Sequence, residues 1–178
     1  MDKTKRVVLT GGPSSGKSTL VKELERRGHR ILHEVARRVI EERKCQSLTK
    51  EEQLIRQKLI YNRQVESERN LSGLVFLDRG AIDVVAYSKH LLGYLPFEIG
   101  TNNYSVVFSL ERLPFVDDGL RVEKGDGEAQ EIHEKILEAY TEFGYSLIHL
   151  PSFLAKTIEE SVSKRADYLL SKLEEMGI

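Results

Sequence analysis

Five short apolar runs along the chain alternate with longer segments in which hydrophobic and polar residues mix. The middle run, Leu74-Val75-Phe76-Leu77, is continuously hydrophobic, which is typical of a central strand covered on both faces. Strand-length runs separated by helical patterns favour parallel strands joined by crossover helices. The sequence therefore predicts a three-layer α/β domain with strands at Arg6–Thr10, Arg30–His33, Leu74–Asp78, Tyr104–Leu110 and Ser146–Leu150.

The segments between these runs carry helix start and stop signals. A first helix is expected from Lys17 until Gly28 ends it. Thr49, with Glu52 three residues later, forms a capping box for a long polar helix to about Asn70. Its charged residues are predicted to form a solvated face. The residues expected on its inner face are Leu54, Leu59, Tyr61 and Val65.

Composition narrows the classes of protein to consider. The 178 residues are 40% hydrophobic and 31% charged, which suits one domain over residues 1–178. The net charge of −1 gives no general attraction to nucleic acid, so such a partner is not expected. No run approaches the roughly 20 apolar residues of a membrane span. Cys45 is the single cysteine and no apolar signal segment follows Met1, so a reducing cytoplasm is the expected location.

The first run leads directly into Gly11-Gly12-Pro13-Ser14-Ser15-Gly16-Lys17-Ser18-Thr19, which contains the pattern G-x-x-x-x-G-K-[ST]. In this pattern glycines let backbone N–H groups turn around phosphates, the lysine reaches the β/γ-phosphates, and the next hydroxyl coordinates Mg²⁺. The following helix presents its N-terminus to the anion. We therefore predict that these nine residues form a P-loop that binds Mg²⁺·ATP. Lys17 is also predicted to be catalytic, and Ser18 to be a metal ligand.

Charged residues at the ends of the second and third runs supply the other groups that phosphoryl transfer needs. Asp78 is predicted to lie near the metal, because the carboxyl ends of parallel strands face the ligand crevice; helix capping is the alternative. Glu34 is a candidate base for a substrate hydroxyl, or a surface carboxylate at a helix start. Arg37, one helical turn later, would share the substrate pocket. Arg79 would pair with Glu34, clamp a substrate or form a structural ion pair.

An irregular stretch follows the fourth run and precedes a predicted helix over Glu128–Phe143. Its glycines, prolines and acids predict a lid-like region at about 112–127 that closes over bound phosphates. Arg112 and Arg121 are the candidate catalytic cations of this lid, with solvated arginines as the alternative. A final helix is expected from Thr157, capped with Glu160, to about Met176. The scattered histidines, including His133, are predicted to pack or to face solvent.

Four motifs occur in a fixed order: the P-loop, Glu34-Val35-Ala36-Arg37, the segment from Asp78-Arg79-Gly80 to Asp83, and Asp118-Gly119-Leu120-Arg121. With them the chain resembles the NadR/Ttd-type predicted ATPases, an AAA-like P-loop family, over nearly its whole length. That family is similar to nicotinamide riboside kinase domains and, more distantly, to nucleoside and nucleotide kinases.

The resemblance implies a sheet of order 2-3-1-4-5, with Glu34 as the base and Asp78-Arg79 as the acid-arginine pair. Asp83 enters as a substrate-binding residue through the same motif. Two departures stand out: Gly80 occupies the position of a common serine, and the Glu-Pro-x-x-x-Trp nucleoside motif is absent.

These features favour an enzyme that transfers the γ-phosphate of ATP to the hydroxyl of a nucleoside-like molecule or another metabolite. Mg²⁺ is the expected cofactor, because the ligands are hard oxygen atoms. One alternative is a regulatory ATPase or binding switch without an acceptor. A second is a polynucleotide 5′-kinase, which the near-neutral charge disfavours.

Overall fold

Strands and helices alternate along the chain, as the apolar runs predict. A computed structural model describes residues 4–43, 49–100, 103–113 and 125–178. The strands are β1 (Lys5–Thr10), β2 (Ile31–Leu32), β3 (Leu74–Asp78), β4 (Val106–Leu110) and β5 (Leu147–Leu150). The helices are α1 (Lys17–Arg26), α2 (Val35–Arg43), α3 (Lys50–Arg69), α4 (Ala81–Leu92), α5 (Asp126–Glu142) and α6 (Ile158–Glu175).

All five strands are parallel and lie in the order β2-β3-β1-β4-β5. The α/β class and the strand order are therefore confirmed. Val7 of β1 is in register with Phe76 of β3 and Val106 of β4, so the three central strands end close together. Their carboxyl ends form the edge at which open α/β sheets bind ligands.

The central strands supply two hydrophobic layers, one on each face of the sheet. Val7 and Leu9 pack with α1 and α6, whereas Val8 packs with α4 and α5. This alternation follows from the two-residue period of a strand. The sheet is thus covered on both sides, which explains why its central strands are continuously apolar.

The predicted start and stop signals hold at most helix ends. Thr49 and Glu52 form the expected capping box, and Thr157 Oγ1 accepts the Glu160 N–H at 3.1 Å. Gly28 follows α1 with φ +88°, a conformation that favours glycine. The second strand is shorter than predicted, because this edge strand pairs only with β3. No helix in the described ranges combines the length and the apolar character needed to cross a membrane.

The predicted inner face of α3 was right in part, since Tyr61, Leu59 and Val65 pack in one hydrophobic cluster with α2 and α4. Of the expected apolar residues only Tyr61 is buried, and Leu54, Leu59 and Val65 are half-buried. Polar side chains expected in solvent are instead buried, because hydrogen bonds compensate for their desolvation. The buried residues of α3 are Arg56, Gln57, Ile60, Tyr61, Gln64 and Glu68.

Glu68 shows how this polar face is used. Its Oε1 accepts hydrogen bonds from the Ala81 N–H at 3.1 Å, the Tyr104 hydroxyl at 3.1 Å and Gln64 Nε2 at 2.8 Å. Burial raises the pKa of Glu68, with the hydrogen bonds from Gln64 and Tyr104 acting against it. The helix therefore supports the start of α4 through polar contacts.

The turn between β3 and α4 packs directly against two tyrosine hydroxyls. A Cβ added to Gly80 would lie 2.7 Å from Tyr104 Oη and 2.9 Å from Tyr140 Oη. Both hydroxyls are held in place, since they donate to the buried carboxylates Glu68 and Asp83. This close approach explains why glycine, which has no Cβ, occupies this position.

We predict that Gly80→Ala lowers the free energy of unfolding by about 1–3 kcal/mol, because the added methyl must displace fixed hydroxyls. Gly127→Ala is the matched control: no heavy atom lies within 4 Å of its added Cβ. In α5 that change should be neutral or stabilise by up to about 1 kcal/mol. Urea unfolding of both variants measures the difference, and equal stabilities would contradict the steric account.

Candidate nucleotide and phosphoryl-transfer site

The P-loop joins β1 to α1 and wraps around the side chain of Lys17. Lys17 Nζ donates to Gly11 O at 2.7 Å, Gly12 O at 2.8 Å and Ser15 Oγ at 2.9 Å. The first bond of α1 runs from the Leu20 N–H to Gly16 O at 3.1 Å. The N–H groups of residues 16–19 therefore have no acceptor within the helix and can bind an anion.

Lys17 is buried beside a second cation. Burial and the charge of Arg79 lower the Lys17 pKa to about 7, while Asp78 and Glu34 oppose this shift. A triphosphate brought to the loop would favour the charged ammonium, because opposite charges stabilise each other in a site of low polarity. Lys17 is buried within the loop, and its contact with nucleotide phosphates remains a prediction.

Asp78 ends β3 on the same edge of the sheet and is buried. Its Oδ1 has no hydrogen-bond partner in the described part of the chain. Burial and the neighbouring Glu34 raise its pKa to about 6, with Lys17 and Arg79 acting in the opposite direction. A buried carboxylate oxygen without a partner suits a bound cation better than it suits a structural role.

The carboxylate of Asp78 and the hydroxyl of Ser18 supply the hard oxygen atoms that suit a magnesium ion shared with a nucleotide. Ser18 lies in the first turn of α1 and is exposed. No group of three or more His, Cys, Asp or Glu residues forms a metal cage among residues that the structure describes. Mg²⁺ in phosphoryl-transfer sites needs no such cage, because it takes one or two protein oxygens and completes its shell with phosphates and water.

Glu34 and Arg79 form an ion pair at the mouth of the P-loop. Arg79 Nε donates to Glu34 Oε1 at 2.9 Å, and its Nη1 donates to Gly11 O at 3.2 Å and to Asp83 Oδ1 at 3.3 Å. The guanidinium also lies 5.3 Å from the ring centre of Tyr87. Arg79 has φ +72°, a conformation that costs a non-glycine residue free energy, so surrounding contacts must hold it.

The Asp83 side chain accepts four hydrogen bonds, one of them from Arg79. Its Oδ1 accepts from Thr10 Oγ1 at 2.6 Å and from Arg79, and its Oδ2 accepts from the Gly80 N–H at 2.9 Å and Tyr140 Oη at 2.6 Å. A substrate contact would have to displace one of these donors. The predicted substrate-binding role of Asp83 remains a prediction, and its observed contacts are those of a supporting residue.

The other predicted substrate and lid residues are only partly described. Arg37 Nε donates to Glu41 Oε1 at 3.2 Å on the next turn of α2, and its role in substrate binding remains a prediction. Arg112 contacts Pro13 O of the P-loop at 3.4 Å and Gln130 Oε1 at 2.9 Å, and it pairs with Asp126. Arg121 and most of the predicted lid fall within 114–124, outside the described residues.

Two residues that the sequence reasoning passed over contact the P-loop directly. His133 of α5 accepts the Gly12 N–H on Nδ1 at 2.9 Å, and burial together with Arg112 lowers its pKa. Arg165 of α6 donates to Ser15 O at 2.7 Å. Arg165 had a sequence signal: it lies four residues before Leu169 and eight before Leu173, so it falls on the apolar face of α6 that these two buried leucines define. His133 had no comparable signal.

Comparison with known proteins agrees with the observed fold. A family model described as an AAA domain matches residues 6–160. No curated protein matches the chain in sequence. The NadR protein, solved in complex with NR, is 23% identical with a TM-score of 0.75. The match covers 98% of this chain and 52% of NadR, so the chain spans about half the length of that relative.

Two smaller kinases match over almost their full length. Deoxyadenosine kinase from M. mycoides, with dCMP and dCDP bound, is 13% identical with a TM-score of 0.56, covering 96% of this chain and 99% of that one. Thymidylate kinase from Ehrlichia chaffeensis is 12% identical with a TM-score of 0.57, covering 96% and 98%. At these identities the similarity is one of fold.

We predict that Asp78→Asn stabilises the nucleotide-free protein at neutral pH. Because the folded pKa of about 6 exceeds the ordinary 3.8, the folded state binds more protons between these values and loses stability as pH rises through them. The amide removes that loss, with a gain of up to about 3 kcal/mol.

Urea unfolding across this pH range measures the effect. Asp167→Asn, at an exposed carboxylate paired with Arg27, is the control and should change stability by less than about 1 kcal/mol. An Asp78→Asn variant less stable than wild type at neutral pH would show that the carboxylate supports the fold.

Proposed function

The chain belongs to the AAA domain family, and from that premise we propose that it is an ATP-dependent phosphotransferase that acts on the hydroxyl group of a small molecule. The observation that carries this proposal is the Glu34–Arg79 pair, which lies beside the P-loop and is tied to it through Gly11 O at 3.2 Å. A simple nucleotide-binding loop needs no carboxylate at this position. A kinase does, because the acceptor hydroxyl must be oriented and must lose its proton.

In the proposed reaction the triphosphate lies on the N–H groups at the start of α1. Lys17 exchanges its loop carbonyls for phosphate oxygens, which are stronger acceptors because they are charged. The acceptor hydroxyl approaches the γ-phosphorus from the side of Glu34. As the new phosphorus–oxygen bond forms, the bond to the bridging oxygen breaks, Glu34 takes the hydroxyl proton and ADP leaves.

The remaining residues position these groups. Arg79 orients Glu34 through its hydrogen bond and brings positive charge to the mouth of the P-loop, where the transferred phosphoryl carries its negative charge. Ser18 and Asp78 would hold Mg²⁺, which neutralises phosphate charge when bound. Arg112, already in contact with the P-loop, is proposed to act from the lid side together with Arg121.

The proposed acceptor is nucleoside-like or a metabolite of similar size. Support comes from fold similarity to NadR bound to NR and to deoxyadenosine kinase. The chain matches about half of NadR, so the substrate is proposed for the site and not transferred from the whole protein. A regulatory ATPase that shares this fold would use the same P-loop without needing an acceptor.

We predict that an acceptor stimulates ADP production from Mg²⁺·ATP. Purified protein is assayed alone and with nucleosides, nicotinamide riboside, other hydroxyl compounds and 5′-hydroxyl oligonucleotides. Lys17→Ala is the blank. Stimulation by one class of small molecule supports the proposal; ATP binding with a slow rate that no acceptor raises would favour the regulatory ATPase. Stimulation by oligonucleotides alone would favour a polynucleotide kinase.

A further inference from the structure

The side chain of Arg165 on α6 is hydrogen-bonded both to the P-loop and to the ends of two strands. Its guanidinium donates to Ser15 O at 2.7 Å, to Leu150 O at 2.9 Å and to Glu111 O at 3.2 Å. Leu150 ends β5 and Glu111 directly follows β4. One buried side chain on α6 thus fixes a loop carbonyl relative to the frame of the sheet.

The partners of this cation are unusual for a buried arginine. All three acceptors are backbone carbonyls, and Nε has no partner within the described ranges. The nearby Glu111 carboxylate accepts from the Ser152 N–H and hydroxyl at 2.6 Å each. Burial lowers the Arg165 pKa to about 10, so the side chain is still charged at neutral pH. Among the residues that the structure describes, no carboxylate is hydrogen-bonded to this buried charge.

The carbonyl that Arg165 holds belongs to the peptide between Ser15 and Gly16. A trans peptide is planar, so its C=O and N–H point in opposite directions. When the guanidinium fixes Ser15 O on the α6 side, the Gly16 N–H must point away from α6. A charged donor on the oxygen also polarises the amide and strengthens its N–H as a donor.

The local backbone leaves little room for another arrangement. Gly16 has φ +75°, and a Cβ added there would lie 3.1 Å from Arg165 Nη1. Gly16 also accepts the first hydrogen bond of α1, so its orientation sets the start of that helix. The geometry of the anion-binding N–H groups therefore depends on a side chain 150 positions away.

We propose that Arg165 is a positioning residue for the nucleotide: it fixes and polarises the Ser15–Gly16 peptide so that the Gly16 N–H binds the phosphates. The positive charge of Arg165 also attracts the phosphates. This inference rests on the proposed nucleotide-binding function and assigns part of its affinity to a residue that does not touch the ligand.

The test is the affinity of wild type, Arg165→Met and Arg165→Lys for Mg²⁺·ATP and for inorganic tripolyphosphate, measured by calorimetry. Arg165→Met removes the charged donor that orients the Ser15–Gly16 peptide, so it should weaken binding of both ligands by about tenfold or more. Arg165→Lys keeps the charge but cannot bridge Ser15 O and Leu150 O, so it should bind with intermediate affinity. In turnover assays KM for ATP should rise, while KM for the acceptor and kcat per folded molecule stay near wild type.

Lys164→Met is the matched control. It removes the same charge from the adjacent residue of α6, where the side chain is exposed and paired with Glu160. Wild-type affinity in this control, with a loss in Arg165→Met, supports the proposal. Wild-type affinity in Arg165→Met, or unchanged tripolyphosphate binding, overturns it. If Arg165→Met does not fold, Arg165→Lys decides: weaker binding supports the role and unchanged binding overturns it. Failure of wild type to bind ATP would instead contradict the proposed function.

Discussion

The geometry of the site depends on one buried carboxylate, that of Asp83. Its two oxygens join three parts of the fold: Thr10 at the end of β1, the turn at Gly80 after β3, and Tyr140 of α5. Arg79 is held in its left-handed conformation within this network and reaches forward to Glu34 and to Gly11 O. Each donor compensates for part of the cost of burying the charge of Asp83, so loss of one donor leaves the carboxylate less well satisfied.

The charged groups around the P-loop are buried, and burial shifts their pKa values. Burial lowers the pKa of Lys17 to about 7, and burial with Glu34 raises that of Asp78 to about 6. Arg165 adds a buried cation that donates to three backbone carbonyls. Burying these charges lowers the stability of the free protein. A magnesium triphosphate would reduce this cost, because its phosphates would pair with the cations and its metal ion with Asp78. The same charges underlie both the proposed nucleotide binding and the predicted pH dependence of folding.

Local sequence predicted what local interactions determine. The strands, the capping boxes and the P-loop follow from patterns within a few residues, and resemblance supplied the strand order that the sheet confirms. The polar inner face of α3 was missed because Glu68 is satisfied by Ala81 and by Tyr104, 36 positions away. His133 and Arg165 meet the P-loop across 121 and 150 positions. In the sequence, a buried polar residue cannot be distinguished from a solvated one unless its distant partner is known.

The central claim is that Glu34 serves an acceptor hydroxyl and not the nucleotide. Its most direct test is Glu34→Gln, assayed for kcat with an active acceptor and for ATP affinity, with Glu42→Gln, at an exposed carboxylate of α2 paired with Arg63, as control. The account predicts that kcat falls by about 10²–10⁴-fold while ATP affinity stays near wild type, because the amide can still accept from Arg79 but is not basic enough to take the hydroxyl proton. Unchanged turnover in Glu34→Gln would contradict the account.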